Sequence, residues 1–186
     1  MQRRRVRRVP RRNERVVSMR VPAGVVTRTL VMVRPLPGHV SVEDARTERT
    51  VLSVQWGEVL MRFTSAEQVW TVLEAFGAVR QALRGAVGTE VLDGGCTELW
   101  PGFSAVSVTW TRAPEWSVAV QEDYDELRRR RVCWVDVVMG PVVWRVVDWA
   151  GFEAGLVLWR NALRTAVGVF VGGGRWRCDP SREGRV

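Results

Sequence analysis

The sequence predicts an α+β fold. It reads as a tandem ββββα repeat, with two antiparallel four-stranded sheets, each covered by one long helix, related by a pseudo-twofold axis. Three observations predict this. The stretches RQALRGAVG (80–88) and RNALRTAVG (160–168) agree at seven of nine positions, 80 residues apart in a chain of 186, which is the mark of an internal duplication. Upstream of each lies an apolar stripe with steps of three and four: Val69, Val72, Leu73, Phe76, Val79, Leu83 and Val87 in the first, Trp149, Phe152, Leu156, Trp159, Leu163 and Val167 in the second. The hairpins before the helices also align, Gly57, Val59, Arg62 and Phe63 with Gly140, Val142, Arg145 and Val146. One such unit buries too little apolar area to stand alone, so the two are expected to share a core.

The predicted organisation is an Arg-rich disordered tail (1–22), a first repeat (23–88), a linker (89–102), a second repeat (103–170) and a flexible C-terminal tail (171–186) that contains Trp176. The β-branched run 25–34 is a strand stopped by Pro35 and Pro37. Residues 39–42 form a short strand, and 50–56 and 58–63 form a hairpin about Gly57. The first helix spans roughly 65–87, where Ser65 and Gln68 have the spacing of a capping box. Glycine-rich 88–102 reads as a connector. In 103–112 Val106, Val108 and Trp110 alternate with Ser107, Thr109 and Thr111, the period of a half-buried strand. Strands at 116–120, 131–139 and 142–147 follow, the last two turning at Gly140 and Pro141, and Asp148 can cap the second helix. Gly77, Gly151 and Gly155 weaken helix propensity but permit close approach of another element.

This pattern directs Val54, Trp56, Met61 and Phe63 towards the helices, with Val137, Val142, Trp144 and Val146. The opposite faces then carry Gln55 and Arg62 in the first unit, and Thr109, Trp134, Asp136 and Arg145 in the second, where Asp136 suits Arg145 as a partner. Trp110, Trp144, Trp149 and Trp159 lie on apolar stripes and read as packing. Trp134 is open between a surface platform and a second buried layer. Arg80, Arg84, Arg160 and Arg164 flank the helix stripes, either as solvated groups with packed stems or as phosphate or partner contacts. The run 128–131 follows four acids at 122–126 and reads as a locally paired, solvated loop.

The charge is unevenly placed. The chain has a net charge of +8, no Lys and no Ile, the usage of a high-GC genome. Residues 1–20 hold nine arginines (3, 4, 5, 7, 8, 11, 12, 15 and 20) against one acid, Glu14, so all of the excess lies there. Such an arm reads as a nucleic-acid or anionic-surface contact, or as a solvated tail, and a start at Met19 would remove most of it. No apolar run is long enough to span a membrane and no secretory signal is evident. Cys96, Cys133 and Cys178 are far apart, and with the single His39 they form no metal-ligand spacing, so the expectation is a reduced, cytoplasmic protein without cofactor or metal.

The order ββββα–ββββα over residues 25–170 resembles the architecture shared by PUR-repeat and Whirly proteins, which bind single-stranded nucleic acid on sheet surfaces. The resemblance lies in element order. The lysine-rich motif of Whirly proteins has no counterpart in a chain without lysine, so no binding residue carries over. It implies a nucleic-acid partner, and the composition points the same way. Arginine meets phosphate, and bases stack on aromatic rings at roughly 1–3 kcal/mol each. The candidate contacts are Arg3, Arg4, Arg5, Arg7, Arg8, Arg11 and Arg12 in the arm, and Gln55, Arg62, Trp134 and Arg145 on the sheets. The expected function is a small non-enzymatic nucleic-acid-binding accessory protein that recognises single-stranded DNA or RNA by backbone and stacking. The alternative is a protein–protein interaction module or homodimeric adaptor, favoured by Val138, Val143 and Val147 beside Trp134. No Ser-His-Asp or Cys-His arrangement and no phosphate loop supports an enzyme.

Overall fold

The structure, a computed structural model, describes residues 28–86, 106–126 and 129–182. The tail 1–22 and the linker 89–102 lie outside them. The elements run β1 (Thr29–Val33), β2 (Gly38–Glu43), β3 (Val51–Trp56), β4 (Val59–Phe63), α1 (Ala66–Ala86), β5 (Val106–Thr109), β6 (Trp116–Asp125), β7 (Arg130–Met139), β8 (Val142–Val146), α2 (Trp149–Val169) and a 3₁₀ turn (Gly173–Trp176). The α+β class, two four-stranded sheets and two long helices are as read from the sequence.

The sheets are mixed, not antiparallel, because each repeat lends its first strand to the other. Sheet I has the order β2-β3-β4-β5 and sheet II the order β1-β8-β7-β6. β1 pairs parallel with β8, and β5 pairs parallel with β4. The exchange obeys the repeat: Arg145 on β8 lies opposite Met32 of β1, and its counterpart Arg62 on β4 lies opposite Thr109 of β5. Thr109 therefore belongs to the first sheet, not to the face of the second unit. Parallel strands have no tight turn between them, so no local signal announces the pair.

β6 continues to Asp125, well past the expected end at Val120. Its ladder with β7 sets Tyr124 opposite Arg131 and Asp125 opposite Arg130, so much of the charged stretch read as a loop is sheet instead. Backbone pairing along the whole length of both strands offsets the poor strand propensity of the acids.

Local signals account for the helix starts. Gln68 closes the capping box at α1: its Oε1 accepts from the N–H groups of Thr64 (2.8 Å) and Ser65 (3.3 Å), and its own N–H donates to Ser65 Oγ at 3.4 Å. Its Nε2 donates to Trp110 O, tying the helix to the strand exchanged into sheet I. Asp148 caps α2 by accepting from Gly151 N at 2.6 Å.

The predicted inward residues are all buried. Trp56 from sheet I stacks on Trp144 from sheet II with ring centroids 5.8 Å apart, and Phe76 and Trp159 from the helices meet Trp144 edge-on at 6.1 and 6.5 Å. Both sheets and both helices thus meet in one aromatic cluster. A Cβ at Gly155 would come within 2.8 Å of the Trp56 ring, so only glycine lets α2 approach this closely. α1 contacts β6 and β7 as well as β4, and α2 contacts β2 as well as β1 and β8, so neither helix keeps to its own repeat.

Trp176, expected in a loose tail, is packed. Its ring lies 5.3 Å from that of Trp70, whose Nε1 donates to Cys178 O at 2.9 Å. Ser181 is buried against Gly77, where a Cβ would come within 2.8 Å of Ser181 Cα. The C-terminal segment to residue 182 therefore lies across both helices, held by residues too scattered in the chain to form a pattern.

Candidate interaction surfaces

Strand alternation brings Trp134 and Arg145 together on the outer face of sheet II, and places Gln55 and Arg62 on the outer face of sheet I. The four do not form one site, because the two sheets share no ladder. The arginines at positions 3 to 12 lie outside the described residues.

On sheet II, Arg145 is already engaged. Its Nε and Nη2 donate to Asp136 Oδ1 and Oδ2, both at 2.9 Å, in a bidentate fork. Its guanidinium carbon sits 4.5 Å from the centroid of the half-buried Trp134 ring. The hydrogen-bonded Asp136 carboxylate raises the Arg145 pKa above its ordinary value, outweighing the opposing effect of partial burial. Arg145 thus presents little uncompensated charge, and one face of Trp134 is covered.

Sheet I carries the same arginine without that carboxylate. Ser53 occupies the position opposite Arg62 that Asp136 occupies opposite Arg145. Arg62 turns instead to Glu43 at 3.1 Å, in a largely exposed pair of the kind that contributes little.

Asp136→Ala should therefore lower stability by about 2 kcal/mol, since it strands a partly buried guanidinium. Urea denaturation checks this, and the double variant Asp136→Ala/Arg145→Met should recover most of the loss.

The apolar patch expected from Val138, Val143 and Val147 is not present in that form. Val143 and Val147 are only 4% and 5% exposed and Val138 is half-buried. The exposed apolar side chains on this face are Leu30 (50%) and Met32 (44%), both on the edge strand β1. Strand alternation alone could have assigned them, but only with the knowledge that β1 joins sheet II.

Ion pairs also fasten the C-terminal segment. Asp179 Oδ2 lies 3.1 Å from Arg160 Nε and 3.5 Å from Arg182 Nε. Burial pushes the Asp179 carboxyl up, but hydrogen bonds from the Ser181 hydroxyl and N–H, with the two guanidiniums, hold it below the usual carboxylate value. Cys133 and Cys178 are free thiols. Among the described residues no three His, Cys, Asp or Glu side chains form a metal-binding group, and no helix is long and apolar enough to cross a membrane.

Comparison with known proteins finds no matching family model, curated protein or solved structure.

Proposed function

We propose that the protein is a small non-enzymatic, cytoplasmic nucleic-acid-binding accessory protein, with residues 1–20 as its main source of affinity. The observation that carries this is the charge partition: the whole excess of +8 lies in those residues, while 21–186 balance to zero. Affinity for nucleic acid comes chiefly from neutralised phosphates, so the arm is the part that can supply it. The arm leads into β1, an edge strand of sheet II, where Met32 lies opposite Arg145. That the arm precedes β1 in the chain supports contact between a nucleic-acid strand it holds and the sheet that carries Trp134 and Arg145. The likeness in element order to PUR-repeat and Whirly proteins supports a single-stranded partner. The commitment of Arg145 to Asp136 favours backbone contact over stacking. Fluorescence anisotropy with labelled single-stranded and duplex oligonucleotides, on residues 1–186 and 19–186, tests the reading. Equal binding by the two proteins, or none by either, sinks it.

Leu30 and Met32 favour a second reading, a homodimer or adaptor that docks through the β1 edge, since exposed apolar side chains on a strand that ends the sheet among the described residues invite pairing. Leu30→Arg/Met32→Arg should then convert a dimer to a monomer in sedimentation velocity. A wild-type monomer removes the homodimeric form of this reading.

A further inference from the structure

The duplicated motif places an arginine pair on each helix, Arg80 and Arg84 on α1, Arg160 and Arg164 on α2. In the second copy the pair lines a cavity of about 840 Å³ between α2, Leu73 of α1 and the docked C-terminal segment. That size is within the range of small-molecule sites. We infer that this cleft binds a small organic anion with an aliphatic body, its phosphate or carboxylate head held by arginines and its chain laid on leucine and valine.

The charge of the lining is the first argument. Among the described residues, Arg160, Arg164, Arg177 and Arg182 converge there with one carboxylate, Asp179, a local excess of three positive charges although residues 21–186 sum to zero. That carboxylate is already divided between Arg160 and Arg182. Arg177 donates its Nε to Gly174 O at 3.2 Å, which leaves its terminal nitrogens for a ligand. Arg164 makes no hydrogen bond or ion pair among the described residues. Guanidinium forks match the planar geometry of phosphate and carboxylate oxygens.

The remainder of the lining selects the body of the ligand. Leu73, Leu163, Val157 and Val167 supply an apolar wall, and no aromatic residue among the described residues lines the cavity. A bare anion gains nothing from that wall, and a nucleobase finds no ring to stack on. An alkyl chain removes it from water, so affinity should rise with each methylene added to the ligand. Val157 is 67% exposed although it belongs to this wall, a cost that an occupant would relieve. The site is independent of the arm, so its fate and that of the nucleic-acid reading are separable.

Cys178 lines the cleft and its thiol is free and exposed, which makes it a local reporter. The full chain is treated with iodoacetamide, with and without ligand, and alkylation of the Cys178 peptide is followed by mass spectrometry, alongside calorimetric titration. Decyl phosphate or decanoate, below micellar concentration, should bind and slow Cys178 alkylation at least tenfold, and the tighter of the two identifies the head group. Arg164→Ala should weaken binding about tenfold, the loss of one charged hydrogen-bonding partner. Val157→Glu should abolish binding while Val157→Leu preserves it, and as Val157 is largely exposed both variants should fold. The inference is overturned if inorganic phosphate protects Cys178 as well as decyl phosphate does, if adenosine monophosphate binds more tightly than either alkyl anion, if a neutral decyl glycoside binds equally well, or if no alkyl anion binds.

Discussion

Removing residues 1–18 should lower affinity for any oligonucleotide at least ~100-fold near 0.1 M salt, and should flatten the salt dependence of what remains. The deleted stretch contains eight arginines, and a chain that starts at Met19 has a net charge of only +1. Each neutralised duplex phosphate adds about −0.9 to the slope of log affinity against log salt, so six engaged arginines give a slope of roughly −5. The truncated protein should show a slope between zero and about −1, as few uncompensated cations remain. A slope near −5 without the arm would place the contacts in the globular body and overturn the assignment. Within the body, Trp134→Ala distinguishes tethering from stacking. Loss of strand preference with an unchanged slope identifies a base contact on sheet II, while an unchanged preference leaves the arm as a backbone clamp.

Trp144→Ala should cost about 4 kcal/mol, the largest single loss of stability expected here. The side chain is 1% exposed, stacks on Trp56 and meets Phe76 and Trp159 edge-on, so truncation opens a void where both sheets and both helices join. For a chain of this length that loss lowers the melting temperature by roughly 10 °C. Trp144→Phe provides the control. Trp144 Nε1 is buried with no hydrogen-bond partner among the described residues, so phenylalanine keeps most of the ring packing and removes that buried polar group. It should cost no more than about 1 kcal/mol, read by thermal denaturation of the three proteins. A similar loss in both variants would show that the indole shape, not buried volume, holds the cluster.

Some features were legible because their causes are local or periodic. The duplication, the two helices and their caps, the strand alternation and the inward set from Val54 to Val146 follow from spacing, capping chemistry and side-chain period. The Asp136–Arg145 pair was legible for a related reason: a hairpin about Gly140 sets those two residues opposite each other. Leu30 and Met32 were illegible as exposed apolar groups until β1 was known to leave its repeat.

The amino-acid sequence by itself determined an α+β chain in which four strands and a long helix occur twice in order, with the excess positive charge gathered in residues 1–20. Hydrophobic period, propensity and composition act over a few residues and survive without a fold. Tertiary structure alone decided that each repeat gives its first strand to the other, which sets Met32 opposite Arg145 and leaves Leu30 and Met32 exposed. It alone brought Arg177 and Arg182 of the C-terminal segment to the cleft that Arg160 and Arg164 line. Those outcomes depend on which distant surfaces bury each other best, a competition among long-range contacts that no local spacing encodes.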